Sequence, residues 1–473
     1  MRVSLCMIVR NEEADLPHCL ESVVDLVQEI IVVDTGSTDA TREVARRYGA
    51  KVVDYPWTDS FAAARNESLR HATGDWIFWM DADDRLDADN RERLRRLFAS
   101  LPEANVAYLM KCVSSRDPHD DRPGLEVDHA RLFRNLPGLR WEYRVHEQIM
   151  PSLARLGAQA KPCDVVIRHA GYEDAQHSWH KLERNLRLLL LEHAERPDDP
   201  VTLFNLGWTC LALGRPQEAA SYLRRSLERT PENLNYRPKL YALLARAHLQ
   251  TPQPGEALRL YEDGRRAYPD DPELLFREGV LRRELRDFAR AEACFRRLLE
   301  VPAAAYAFGL LQGIGSYLPR HNLAVIYREQ GRLADAETYW RAVVQERPDF
   351  TEGWVGLADL AVARQDWRAL DSFLPRVEAD PRRAIEAAIL RARRCLAQRD
   401  FAGARALLQP IVRQNPRATG ARLVLCHVLV EEGTDLATAE RLLLEIQAVE
   451  PHNPHVPHNL AVVRQLRQRQ ARP

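Results

Sequence analysis

The chain is short of the features that would place it in several large classes. It has eight cysteines in 473 residues, at positions 6, 19, 112, 163, 210, 294, 395 and 426, with no Cys-x-x-Cys. That scatter argues against a disulfide framework or a zinc ribbon and points to reduced thiols in a reducing compartment. It has no excess of either charge: 67 Lys and Arg face 68 Asp and Glu, a formal net charge of -1. Nothing in that balance advertises nucleic acid or a charged membrane. No stretch approaches the roughly 18 consecutive apolar residues that span a bilayer. The opening Met1-Arg-Val-Ser-Leu-Cys-Met-Ile-Val9 holds Arg2 and is too short for a signal peptide, so it reads as a first strand. There is no low-complexity tract and no Gly/Ser linker. A soluble cytoplasmic protein with more than one core is the expectation.

What is present falls into two textures. Up to about residue 175, short apolar runs alternate with amphipathic segments. Strands are predicted at 3–9, 29–33, 51–54, 76–80 and 106–112, and helices at 14–27, 38–48, 60–71 and 89–100. Alternation of this kind predicts a mostly parallel sheet covered by helices on both faces. Ligands of such sheets bind beyond the carboxyl ends of the strands, where Arg10, Asn11 and Glu12, then Asp34, then Asp81 and Asp83 fall.

From about residue 196 the strands vanish and a helical unit repeats. Gly207 is followed by Gly214, Ala219, Leu223 and Pro231, at offsets of 7, 12, 16 and 24. Ala324 is followed at the same offsets by Gly331, Ala336, Trp340 and Pro348, and the frame recurs from Ala245, Gly279 and Ala392. Small residues let two antiparallel helices touch, the large residue fills the groove between them, and proline ends the unit. A longer interval near Tyr306 to Pro319 separates the third and fourth units. The sequence predicts a sheet domain over 1–175, a connecting helix over 176–195 and a repeat domain of six to seven units over 196–473, closed by a capping helix near His458.

The densest chemistry lies in Trp76-Ile-Phe-Trp-Met-Asp81-Ala-Asp83-Asp84. An apolar run rich in β-formers ends in carboxylates at i and i+2, which point to one side of an extended segment. They can reach a common hard cation; a strand running into an acidic turn is the alternative. Val32-Val-Asp34-Thr-Gly36-Ser-Thr-Asp39 is a strand ending in an acid, then a turn in which Ser37 or Thr38 can cap the next helix. Asp34 is placed to accept from a sugar hydroxyl or a base N–H, or else simply forms the turn.

Four segments in order carry a resemblance: Ser4-Leu-Cys-Met-Ile-Val-Arg-Asn-Glu-Glu13, Ile31-Val-Val-Asp-Thr-Gly-Ser-Thr-Asp39, Phe61-Ala-Ala-Ala-Arg-Asn66 and Gly74-Asp-Trp-Ile-Phe-Trp-Met-Asp-Ala-Asp-Asp84. Together they resemble the family 2 glycosyltransferases, whose fold is α/β GT-A, a Rossmann-like nucleotide-diphospho-sugar transferase domain. The repeats resemble the tetratricopeptide (TPR) repeat, so an all-α TPR solenoid is expected to follow. A nucleotidyltransferase is disfavoured, because Arg10-Asn-Glu-Glu13 stands where a Gly-rich phosphate loop with a basic residue belongs.

The resemblance implies a metal-dependent, inverting transfer from a nucleotide sugar, a UDP-sugar being favoured, with Mn²⁺ or Mg²⁺. Val9, Arg10, Asn11, Glu12, Asp34, Asn66, Asp81 and Ala82 are the implied nucleotide-sugar contacts. The DXD motif Asp81-Ala-Asp83 supplies metal ligands. In Val165-Val-Ile-Arg-His169 a strand ends in the His that completes them, with His146 as runner-up; a satisfied strand-end His is the alternative. Glu147 is the implied general base. If Glu147 pairs instead with Arg144 or Arg134, the base is Asp84 or Glu142. Trp57, Trp79 and Trp141 read as core more than as sugar platforms.

The sheet domain is short for its fold, leaving little sequence to shape an acceptor site. A similar arrangement occurs in bacterial enzymes that glycosylate Cys or Ser side chains of bacteriocin precursor peptides. A peptide or protein acceptor presented by the repeats is the first expectation. The alternatives are a cell-envelope glycan or small-molecule acceptor with the repeats as a docking or self-association module, and a non-catalytic repeat scaffold carrying a relic sheet domain.

Overall fold

A computed structural model describes residues 1–114, 125–169, 175–302, 310–311, 313–415, 417–450, 453 and 455–470. The interval from Tyr306, the join at Gly171 and Tyr172, and the prolines Pro416 and Pro451 lie wholly or partly outside the described residues. The chain forms two compact units, Met1–Ser316 and Tyr317–Pro473. That break comes later than the change of texture near residue 175.

The first unit opens with β1 (Val3–Val9), α1 (Leu16–Glu21), β2 (Glu29–Asp34), α2 (Thr41–Arg47), β3 (Lys51–Asp54), α3 (Phe61–His71) and β4 (Trp76–Trp79). It continues with β5 (Asp84–Arg85), α4 (Ala88–Ala99), β6 (Val106–Ser114), β7 (Leu125–Arg134), α5 (Met150–Arg155) and β8 (Gln159–His169). The strands form one sheet in the order β3-β2-β1-β4-β7-β6-β8-β5.

The first four strands are parallel, as expected, but β7 runs antiparallel to both β4 and β6, and β5 antiparallel to β8. The sheet is therefore mixed, not mostly parallel. The ten residues between Ser114 and Leu125 are too few for the crossover of a dozen or more that a parallel return needs. α1 is also shorter than predicted. Its apolar pattern continues through Val23 and Leu26, which are buried from turns, not from helix.

β1 shows why the strands read as continuous apolar runs. Leu5, Met7 and Val9 enter one core with Leu16, Leu20, Trp76 and Phe78, while Cys6 enters the opposite core with Ile31, Val33, Ile77, Trp79 and Trp141. Both faces are covered, so both sets of side chains are apolar.

The helical part of this unit comprises α6 (Ala175–Glu195) and the pairs α7 (Pro200–Ala212) with α8 (Pro216–Arg229), α9 (Arg237–Gln250) with α10 (Pro254–Ala267), and α11 (Pro272–Glu284) with α12 (Phe288–Glu300). After them β9 (Leu310–Leu311) pairs antiparallel with β7. α6 is bolted to the sheet domain. The Arg144 N–H donates to Glu192 at 2.9 Å, Arg187 grips Asp59 with bonds of 2.6 and 2.8 Å, and Val145 packs with Leu188, Leu189 and Leu206.

The second unit holds α13 (Tyr317–Glu329), α14 (Leu333–Glu346), α15 (Thr351–Ala363), α16 (Trp367–Glu378), α17 (Ala384–Ala397), α18 (Phe401–Gln414), α19 (Thr419–Glu432), α20 (Leu436–Val449) and α21 (His455–Gln470). The pairs obey the small-against-large rule. A Cβ on Gly207 would lie 2.4 Å from Leu223 Cγ, and one on Gly279 would lie 2.9 Å from Phe295 Cζ. Among the described residues no helix is long and apolar enough to cross a membrane.

Candidate active site

The site forms at the carboxyl ends of β1, β2 and β4, with β8 closing it. The loop after β1 is laced to the loop after β2. Asn11, at φ 57°, donates its N–H to Ser37 Oγ at 2.9 Å and accepts from the Thr38 N–H at 2.8 Å. The Glu12 N–H donates to Thr41 Oγ1 at 2.7 Å, and the Val9 carbonyl accepts from Thr35. This corrects the capping expectation. α2 begins at Thr41 without a side-chain cap, because Ser37 and Thr38 are spent on Asn11. Arg10 is exposed at the rim.

Asp34 closes β2 and is 1% exposed. Its Oδ1 accepts from the N–H groups of Gly36 and Ser37 at 3.0 and 2.9 Å, while its buried Oδ2 has no hydrogen-bond partner among the described residues. Buried carboxylate oxygens are rarely left so, because an unmet acceptor costs about 1–3 kcal/mol.

Past β4 the chain presents Asp81, Asp83 and Asp84, and each has a different environment. Asp81 keeps about a third of its side chain open to water, at 32%. Its Oδ1 accepts from Arg65 Nη2 at 2.8 Å. Burial opposes ionisation there, but the Arg65 and Arg131 charges outweigh it and hold the carboxyl well below the usual range. Asp84 is fully buried, with Oδ2 accepting from Arg131 Nη1 at 2.8 Å and from the Asp81 N–H at 2.8 Å. Among the described residues Asp83 pairs with His169 and with no arginine. Burial, then the Asp81 and Asp84 charges, push its pKa up against the opposing pull of His169.

His169 ends β8 and lies opposite Asp84 in the β5–β8 register. Its Nδ1 is 3.1 Å from Asp84 Oδ1 and its Nε2 is 3.2 Å from Asp83 Oδ2. The bond to Asp84 raises its pKa above the ordinary value, partly offset by burial. Asp83, Asp84 and His169 offer ligand atoms that lie within 4.8 Å of one another. Because Asp84 is enclosed and bonded to Arg131, it serves as the orienting partner of Nδ1, leaving Nε2 to face Asp83. That is the arrangement in which a histidine ligates a cation through one nitrogen and is held by a carboxylate at the other. The donor set therefore fits a divalent metal. Asp81 lies outside this three-residue cluster, and so does the exposed His146.

Glu147 is brought to the same place by a different route from those foreseen. It pairs with neither Arg144 nor Arg134 but accepts from Arg65 Nε at 2.6 Å. Arg144 reaches Glu195 instead, and Glu142 is taken by Arg140 and Arg155. Asp84 cannot reach a substrate proton from its enclosed position. Asn66 was expected at the donor; both ends of its amide are bonded to the Trp141 backbone, at 2.8 and 3.0 Å. Ala82 is buried, its carbonyl accepting from Arg85.

Arg65 and Arg131 were not foreseen from the sequence. Both are buried, and both lie against the Trp79 ring, at 4.3 and 3.6 Å from its centroid. Trp79 in turn meets Trp141 edge-on at 5.1 Å. The two indoles are thus core, and they carry the guanidinium groups that balance the acids. Trp57 packs edge-on against Phe61 at 4.8 Å and bonds Asp59. The one hint in the sequence was that Arg65 stands inside the Phe61–Asn66 segment.

Residues 4–149 match the description of glycosyl transferase family 2, and residues 166–233, 211–275 and 320–347 match tetratricopeptide repeats. A TPR repeat-containing protein of Synechococcus elongatus is 30% identical over 357 residues, covering 73% of this chain and 76% of that protein. The chain belongs to glycosyl transferase family 2, joined to tetratricopeptide repeats. The SPbeta prophage-derived glycosyltransferase SunS of Bacillus subtilis is 28% identical over 234 residues. That match covers 47% of this transferase and about half, 52%, of SunS. Among solved structures, a tetratricopeptide repeat protein from Parabacteroides merdae aligns at a TM-score of 0.48 and 14% identity, over 56% of this transferase and 98% of that chain.

Proposed function

We propose that this glycosyltransferase is metal-dependent and inverting, takes a nucleotide sugar, with a UDP-sugar favoured, and passes the sugar to a side chain of a polypeptide held by the repeats. The observation that carries the donor half is the chain of contacts Asp83–His169–Asp84–Arg131. Asp83 and His169 would hold Mn²⁺ or Mg²⁺, with Asp81 beside them. A cation bound there supplies neutralising charge to a leaving diphosphate.

The chain's own residues do the rest. Asp34 Oδ2, buried and unmet, is suited to an N–H of the base or a ribose hydroxyl. Asp81, fixed through Oδ1 by Arg65, keeps Oδ2 for the donor. Glu147, likewise fixed through Oε1, keeps Oε2 to take the acceptor's proton as the acceptor attacks the anomeric carbon from the side opposite the leaving group. Because Arg65 holds both acids, the proton acceptor and the donor-side acid keep a fixed spacing, so acceptor and donor would be held by groups that do not drift apart. An inactive sheet domain in a scaffold has no need of an unmet buried carboxylate oxygen, and this weighs against that reading.

The test is mass spectrometry of the full chain with Mn²⁺, a panel of UDP- and GDP-sugars, and mixed polypeptide and glycan acceptors. A hexose-sized mass increment on a polypeptide, abolished by EDTA, is the expected result. An increment on glycans alone would replace the acceptor reading, and no nucleotide release from any donor would overturn the proposal.

A further inference from the structure

Glu273 on α11 gives both of its oxygens away. Oε2 accepts from Lys239 Nζ of α9 at 2.6 Å, and Oε1 accepts from Arg277 Nε at 2.7 Å. The first bond sets α9 and α11 in register side by side. Arg246 lies two turns beyond Lys239, on the same side of α9, and Arg277 lies one turn beyond Glu273. Two guanidinium groups therefore stand next to each other with one carboxylate already spent. Arg246 is half-buried and has no hydrogen-bond or ion-pair partner among the described residues. Burial and the Arg277 charge both push its pKa below the ordinary arginine value.

A half-buried cation beside a like charge disfavours the fold unless an anion completes it. On the neighbouring α7, Trp208 is 38% exposed and lies 5.6 Å beneath Lys239 Nζ. The strip from α7 to α11 thus carries an open indole and three cations against two carboxylates, Glu273, spent on Lys239 and Arg277, and Asp271, which caps α11 by accepting from the Leu274 N–H at 2.9 Å.

We propose that this strip binds an acidic stretch of an extended polypeptide, with a carboxylate of that stretch completing Arg246 and an apolar side chain resting on Trp208. This deepens the acceptor reading above and rests on it. A carboxylate matches the guanidinium fork with paired, charge-assisted hydrogen bonds. Helices pack about 8–10 Å apart and an extended chain advances about 3.3 Å per residue, so such a peptide crosses one helix in about three residues. The strip spans three helices, enough to read a short acidic segment.

The test uses the full chain and two fluorescein-labelled peptides, one alternating Glu with Gly and one alternating Gln with Gly, followed by fluorescence anisotropy. The Glu peptide should bind the parent at least tenfold tighter than the Gln peptide, a gap of about 1.4 kcal/mol or more. R246Q should close that gap while melting no lower than the parent, since no internal partner is lost. Equal binding of the two peptides to the parent, or a gap that survives in R246Q, overturns the proposal. So does a drop in R246Q melting temperature on the scale of a broken ion pair, which would reveal a structural partner. Inorganic polyphosphate that binds the parent with the same dependence on Arg246 and displaces the Glu peptide equally well would overturn the polypeptide assignment. Release of UDP from UDP-glucose with Mn²⁺ is read in parallel. If the parent binds the Glu peptide through Arg246 yet releases no nucleotide from any donor, the transferase mechanism fails while this surface stands.

Discussion

Arg65 donates from Nε to Glu147 Oε1 at 2.6 Å, tying the helix after β3 to the loop that follows β7. Its Nη2 holds Asp81 at 2.8 Å, so one buried side chain fixes two acids of the candidate site. Removing it takes the ion-pair partner from Glu147 and leaves Asp81 with only the more distant Arg131 and His169 charges in a crowded place. Arg65→Met is expected to lose about 3–5 kcal/mol of stability, read as a fall in the urea midpoint. Arg65→Lys keeps the charge but offers a point donor in place of a fork, so it should retain most of the stability and lose most of the turnover. An Arg65→Met chain as stable as the parent would show that water, not the guanidinium, carries the two acids.

Asp83 is the reverse case. Among the described residues no arginine pairs with it, and burial, then the Asp81 and Asp84 charges, push its pKa up against the pull of His169. Its carboxylate is a strain on the metal-free fold. Asp83→Ala should therefore melt within about 1 kcal/mol of the parent while donor turnover falls below detection. Adding EDTA to the parent should produce the same loss, reversed by Mn²⁺. Near-parental turnover in the variant would remove Asp83 from the metal site.

Asp84 sits next in the chain and should behave in the opposite way. It is fully buried and is the counter-ion of Arg131 as well as the anchor of His169 Nδ1. Asp84→Asn keeps the shape and removes the charge, leaving the Arg131 cation buried without its partner. A loss of about 3–5 kcal/mol is expected, visible by thermal or urea unfolding. If Asp84→Asn instead leaves stability intact and only weakens Mn²⁺ dependence, Asp84 is a ligand and not an anchor.

Adjacent acids with opposite roles mark how far the sequence could be read. The strands were legible because each buries both faces, and the acids were legible because they end strands. Their partners were not. Arg65 stands 16 residues from Asp81 and 82 from Glu147, and Arg131 stands 47 from Asp84. Ion pairing over such separations is a property of the folded sheet and leaves no local pattern. Strand direction has no local signature either, so the antiparallel course of β7 is not legible in the sequence. That course sets Leu132 opposite Phe78 and so brings Arg131 beside Asp84. The repeats were more transparent, because Gly207 and Leu223 are related by a fixed offset within one hairpin, where spacing does encode contact.

The contact between Gly207 and Leu223 can be tested directly. A Cβ at Gly207 would meet Leu223 Cγ at 2.4 Å and Cδ2 at 2.7 Å, too close for the leucine to avoid by turning its tip alone. Gly207→Ala must part α7 from α8 despite the better helix propensity of alanine. Destabilisation of about 1–3 kcal/mol is expected from the overpacking. Pairing it with Leu223→Val should restore part of the loss, since the two changes touch and are not additive. Simple additivity of the two variants in a double-mutant cycle would contradict this packing of α7 on α8.

The transferase should tolerate being cut at one boundary and not at another. A chain ending at residue 195 would keep α6 but remove Leu206, which packs with Val145, Leu188 and Leu189. It would also remove β9, which pairs with β7. A chain ending at Ser316 keeps both and coincides with a compact unit. The 1–316 chain should therefore purify as a cooperatively folding species that still releases nucleotide from its donor. The 1–195 chain should expose apolar surface and bind a hydrophobic dye such as ANS. Comparable melting and donor hydrolysis by the two chains would mean that α7 to α12 contribute nothing to the sheet domain. In that case the contacts of α6 alone support the site, and the repeats from α7 onward can be assigned to the acceptor without any share in the stability of the catalytic part.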